Sequence, residues 1–175
     1  ASTRQLRLSP RDRVAMIGFS ASALSVVGVF WLQGGTPSVQ HPLGLGVLTL
    51  AFAASERLLV SMEAKQQAIG YNPSSEVALA VGILMLGPVE VVAARLLGSI
   101  PSMALNRGSP MFKLAYNASM MAAEATLAIG LYWLVSDALG TGTVSTWVAL
   151  NVGVATGLLL GGLLVALAIG QFEGG

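Results

Sequence analysis

Apolar residues do not recur here with the half-polar periodicity of a soluble helix or strand. They run in long, nearly uncharged blocks separated by short polar breaks. Blocks of about 18 or more apolar residues read as membrane-spanning helices. Residues 14–33 form the first block, and "GGTPSVQHP" follows as a turn segment. Residues 43–60 form the second, with Glu56 and Arg57 near its end. "SMEAKQQAIGYNPSS" is a polar connector, helical at first and broken at Asn72-Pro73. Residues 76–87 are apolar but short, and residues 88–105 follow directly, interrupted by Pro101. "NRGSP" is a turn, residues 111–135 a long span, "SDALGTGTV" a loop, and residues 145–170 the last span.

The stretch from 76 to 105 is either one long span or two short ones hinged at Gly87-Pro88. Charge placement decides between them, because cytoplasmic loops are enriched in Lys and Arg. With two helices there are six spans and both termini are cytoplasmic. Arg4, Arg7, Arg11, Arg13, Lys65, Arg107 and Lys113 then all lie on the cytoplasmic side, and the three outer connections carry no Lys or Arg. A single long span would put Arg107 and Lys113 outside. The expectation is therefore an all-α, polytopic bundle of six transmembrane helices. Residues 1–13 form a basic cytoplasmic arm, 14–170 the membrane domain, and 171–175 the start of a cytoplasmic linker.

Composition agrees. Of 175 residues, 54% are hydrophobic and 10% charged, against roughly 25% charged in soluble domains. The sequence has no cysteine and one histidine, His41. This removes thiol chemistry and leaves an intramembrane hydrolase without a base near a nucleophile. No carboxylates show metal-ligand spacing on one helix. "VEVVAAR" resembles faintly the glutamate-arginine motif of membrane prenyl endopeptidases, but that family's paired glutamates and downstream histidines are missing. The expectation is no enzyme, no metal and no cofactor. The net charge of +1 gives no reason to expect nucleic acid. The absent initiator Met and the "QFEGG" ending lead us to expect a segment of something longer.

The informative residues are the polar ones inside apolar blocks, since a carboxylate or guanidinium at the bilayer centre costs about 3 kcal/mol on insertion scales. Glu90 and Arg95 are separated by about 140° around a helix. They should therefore look across to other helices, with Glu56, Arg57 and Glu124 as candidates. Lys113, Asn117 and Glu124 fall on one narrow stripe of the fifth span, which should face the bundle, with Lys113 snorkelling at its edge. Three readings stay open for these groups: a buried network fixing helix register, a pocket for a small ligand, or a proton or ion pathway. Pro88 starts a helix whose amino end favours a negative charge, and Glu90 sits in that first turn. Gly153, Gly157 and Gly161 in the last span, and Gly18 and Ser22 in the first, are spaced for close helix approach, within the bundle or in a homodimer. Trp31, Trp133 and Trp147 fall near the outer boundaries, as an interfacial aromatic belt would.

Two stretches, "PSSEVALAVGILMLGPVEVVAARLLGSI" and "SPMFKLAYNASMMAAEATLAIGLY", resemble the multi-span N-terminal membrane domains of bacterial cyclic-di-GMP signalling proteins of the GGDEF, EAL or HD-GYP type. Gly87-Pro88, Pro110, Lys113, Asn117 and Ala118 carry the likeness, which covers about residues 43–135. It implies a sensory domain in the bacterial inner membrane that relays a small-molecule signal to a cytoplasmic output domain. Six spans with a small-residue first helix are also similar to the S components of energy-coupling-factor vitamin transporters. That likeness implies a ligand cavity enclosed by the helices and open toward the outer side, and docking on a partner subunit.

Overall fold

The structure is a computed structural model that describes residues 9–34, 39–63, 73–107, 110–140 and 142–173. Lys65 and the first eight residues, with Arg4 and Arg7, lie outside these, as do most of the connector after the second helix and parts of three loops. Six helices follow one another: α1 (Pro10–Gln33), α2 (Pro42–Glu63), α3 (Pro73–Met85), α4 (Pro88–Arg107), α5 (Met111–Leu139) and α6 (Thr143–Glu173). No strand occurs among the described residues.

Local chemistry sets the helix ends. Proline opens α1 to α4, the position where its missing N–H costs nothing. Ser9 caps α1 in a reciprocal box with Asp12, satisfying two otherwise orphaned donors. Gly34 and Gly140 end α1 and α5 at positive φ. Pro101 does not break α4, which continues to Arg107. Proline there removes only the bond to the Leu97 carbonyl, and neighbouring helices make such a loss tolerable at membrane depth.

Four helices are long and apolar enough to cross a membrane: α1, α4 up to Leu105, α5, and α6 up to Gln171. α3 is the short one, about 20 Å at 1.5 Å per residue, against a hydrocarbon core of roughly 30 Å. It covers itself against α2 and α4: Leu79 and Ile83 are buried in the same core as Leu48, Phe52, Val91 and Ala94.

The chain reverses at every connection. Gly87-Pro88 is a hairpin tip, because Glu76 of α3 reaches Arg95 of α4 at 3.6 Å. α1 and α5 run in parallel, with Ser22 bonded to Ser119 at 2.7 Å and Gly18 against Tyr116. α6 returns along α5, and Arg13 meets Gln171 across the first and last helices at 3.1 Å. One end of the bundle therefore gathers the start of α1, the ends of α2, α4 and α6, and the start of α5. We call it the basic end, for Arg11, Arg13 and Lys113. The opposite end holds the loops before α2, α4 and α6, with His41 and Asp137. It carries no Lys or Arg among the described residues. Trp31, Trp133 and Trp147 all lie toward this second end and are exposed.

The helices divide into two halves. α2, α3 and α4 form one, α1, α5 and α6 the other, and the main seam between them runs along α4 and α5. Each half is built on close backbone approach. In the first, a Cβ at Gly98 would stand 2.3 Å from the Thr49 carbonyl oxygen. In the second, a Cβ at Gly153 would stand 2.4 Å from the Ala128 carbonyl oxygen. Such contacts supply the van der Waals attraction that holds helices together where lipid removes the hydrophobic drive.

Candidate functional site

The polar residues within the apolar blocks separate into two clusters. The first centres on Glu90, 1% exposed. Glu90 is the third residue of α4, and its Oε2 accepts the Gly87 N–H at 2.9 Å. That closes the helix's own first turn, as an N3 glutamate does. Its Oε1 accepts the N–H groups of Gln40 (2.6 Å) and His41. The His41 Nδ1 stands 3.4 Å from Oε2. One carboxylate thus serves the amino ends of two parallel helices, α2 and α4, where the dipoles of both favour negative charge. Glu90 in the first turn of α4 thus caps that helix. The service to α2 was not legible, because Gln40 and His41 donate through backbone groups that carry no sequence signature.

The second cluster lies on the seam. Arg95 is 4% exposed, and its Nη2 donates to Glu124 Oε2 at 2.8 Å. The same nitrogen is 3.6 Å from Glu76 Oε1, which also accepts the Ser75 hydroxyl at 3.1 Å. The Arg95 guanidinium lies 5.8 Å from the Phe52 ring centroid, within the range of a cation–π contact. Glu124, Glu76 and Arg95 come from α5, α3 and α4, so the cluster joins both halves. α6 makes room for it: a Cβ at Gly157 would stand 3.0 Å from the Glu124 carbonyl oxygen, and one at Gly161 3.4 Å from Glu124 Oε2. Small residues here bring α6 over the carboxylate and cover it.

The expected residues are thus distributed as follows. Arg95 and Glu124 meet as anticipated, and Glu90 and Arg95 are not partners. Glu56 is buried on α2. Arg57 is a correction: it is exposed on α2 rather than part of a buried network, because the adjacent position, 100° around the helix, is the one turned inward. Asn117 is half-buried, with its amide nitrogen 3.9 Å from Met103 Sδ. Asn117 and Glu124 both face α4, as the stripe requires, but they are about 10 Å apart along the helix axis and make separate contacts. Gly18 and Ser22 face α5, and Gly153, Gly157 and Gly161 also face α5. All five are therefore covered within the chain itself. Glu76 was missed because it sits at a predicted helix start, where a carboxylate ordinarily marks a solvated turn.

Two apolar grooves open on the flanks. One, of about 750 Å³, lies between α2 and α3 and is lined by Val47, Leu48, Val77, Ala78 and Val81, with His41 at one end and Ser74 at the other. The second, of about 500 Å³, lies among α1, α5 and α6, with Trp31, Trp133 and Asp137 at its rim. Neither is lined by Glu90, Arg95 or Glu124. No group of three or more His, Cys, Asp or Glu with metal-binding geometry occurs among the described residues.

No family model, curated protein or solved structure matches the chain.

Proposed function

We propose that this bundle is a membrane-embedded sensory domain that passes a small-molecule signal to a cytoplasmic partner, with the basic end and both termini in the bacterial cytoplasm. The observation that carries the reading is the Arg95 cluster, a buried polar joint on the seam between the two halves. A buried ion pair adds little net stability compared with apolar packing, and its best-attested use is to select one arrangement among several. Here the arrangement selected is that of α5 and α6 relative to α2, α3 and α4. α6, about 46 Å long, exceeds the hydrocarbon thickness and carries any shift toward the basic end.

The α2–α3 groove is the input that fits this scheme. Its walls are apolar, with His41 and Ser74 as its polar ends, so it suits a molecule with an apolar body. An occupant there bears on α3, and hence on Glu76 and Arg95. It acts only so far as it binds one arrangement better than the other. The transporter-component reading gains nothing here, since the small residues of α1 on which docking would rely face α5.

Native mass spectrometry of the protein released from lipid nanodiscs tests the proposal. A retained non-lipid molecule is expected in the parent chain and should be lost in Val81→Trp, which fills the groove from its exposed side. Retention of lipid alone, or equal retention of the molecule in both proteins, overturns it.

A further inference from the structure

Inside the seam cluster the formal charges do not balance. Glu76 and Glu124 share one nitrogen of one guanidinium. With all three groups ionised, the cluster carries a net negative charge in an environment where unpaired charge is strongly disfavoured. Among the described residues, the surroundings supply no second cation. From α2 the ionisable neighbour is Glu56, buried one turn past Phe52, while Arg57 is turned outward. From α4, Glu90 is engaged with Gln40, His41 and Gly87. On α5, Lys113 and Tyr116 lie two or more turns toward the basic end, and α6 offers Gly157 and Gly161. α1 presents its charges, Arg11, Asp12 and Arg13, at the basic end.

A second observation points the same way. Two atoms of the cluster have no hydrogen-bond partner among the described residues: Glu76 Oε2 and Arg95 Nη1. Their side chains are 10% and 5% exposed. Glu124 takes the short bond from Arg95, whereas Glu76 keeps the longer contact and one free carboxylate oxygen. A proton at that oxygen neutralises the surplus charge, and a neutral acid costs less to leave buried without a partner than a carboxylate does.

We propose that the Glu76–Arg95–Glu124 cluster binds one exchangeable proton, held on Glu76 Oε2 while Arg95 and Glu124 remain an ion pair. The proton arrives as hydronium, an O–H bond forms at Oε2, and water is released; nothing is oxidised or reduced. When the proton leaves, two carboxylates compete for Arg95 Nη2, and the contact between the halves is reweighted. The inference adds a proton as an input to the sensory reading, on which this consequence rests. Its test reads the proton directly, so either idea can fail without the other.

Infrared spectroscopy of the intact protein in lipid bilayers provides the test. At neutral pH the parent chain is expected to show a buried carboxylic-acid C=O band that shifts in D2O and is lost reversibly as the pH is raised. Glu76→Gln should abolish it by removing the group. Glu124→Gln should abolish it too, because Glu76 then becomes the ionised partner of Arg95. Glu56→Gln should leave it in place. Absence of the band from the parent chain overturns the proposal without recourse to any variant. So does a band that survives Glu76→Gln, or one that disappears only in Glu56→Gln.

Discussion

Glu76 Oε1 lies 3.6 Å from Arg95 Nη2, although an unbroken helix would hold residues with this spacing about 28 Å apart. That contact shows that the middle of the chain folds back on itself at Gly87-Pro88. It also brings a carboxylate of α3 onto the guanidinium that α4 offers to Glu124 of α5. The reversal of the chain and the joint between its halves are thus one arrangement seen from two sides.

Removal of the guanidinium alone leaves the buried Glu124 carboxylate, beside Glu76, without its counter-charge. Arg95→Met is expected to cost about 3–5 kcal/mol, the range for breaking one side of a buried pair. The triple variant Arg95→Met, Glu124→Leu, Glu76→Leu should recover most of that loss. Denaturant titration in bicelles, followed by circular dichroism, compares the two. A single variant that costs less than the triple would mean the three groups are not coupled.

Gly98 and Gly162 differ in what stands beside them. A Cβ at Gly98 would meet the Thr49 carbonyl oxygen at 2.3 Å, whereas one at Gly162 has nothing within 4 Å. Gly98→Ala should separate α2 from α4 and cost about 1–3 kcal/mol, as overpacking does. Gly162→Ala should be neutral or stabilising by up to about 1 kcal/mol, from helix propensity. Thermal unfolding midpoints in one detergent give the comparison, and equal shifts would contradict the α2–α4 contact.

Glu90→Ala removes the acceptor shared by the Gln40, His41 and Gly87 amides. Hydrogen exchange at those amides should accelerate, while exchange around Arg95 and Glu124 stays as in the parent. Acceleration that spreads to the seam would show that the two polar clusters are a single network.

The absence of cysteine makes labelling unambiguous. Single cysteines at His41 and Gly142 should react with a membrane-impermeant maleimide added outside intact spheroplasts. Cysteines at Arg13 and Lys113 should react only after permeabilisation. Reaction of Lys113→Cys from outside would reverse the proposed orientation or reduce the number of passes.

Much of the architecture was legible because membrane helices announce themselves in unbroken apolar blocks, and because the loops near His41, Gly87 and Gly142 lack basic residues. Arg95–Glu124 was legible for a related reason: few charges occur at depth, so few partners exist. What escaped were features decided in three dimensions. Glu76 looked like a solvated helix start until the hairpin carried it to Arg95. The second role of Glu90 depends on backbone N–H groups that any residue supplies. Arg57 follows Glu56 in sequence, and pattern alone did not say which of two adjacent charges turns inward. The helix at Pro101 was expected to be interrupted because propensity was weighed without the neighbours that support it.

The central claim is that two halves joined through Arg95 adopt more than one arrangement and that the joint chooses between them. Electron paramagnetic resonance distance measurement between spin labels at Leu105 of α4 and Leu167 of α6, both exposed and toward the basic end, tests it most directly. The account predicts two distance populations in the parent chain, with their ratio altered by Glu124→Gln, which frees Arg95 from α5, and by Val81→Trp, which fills the α2–α3 groove. A single narrow distance, the same in all three proteins, would contradict it.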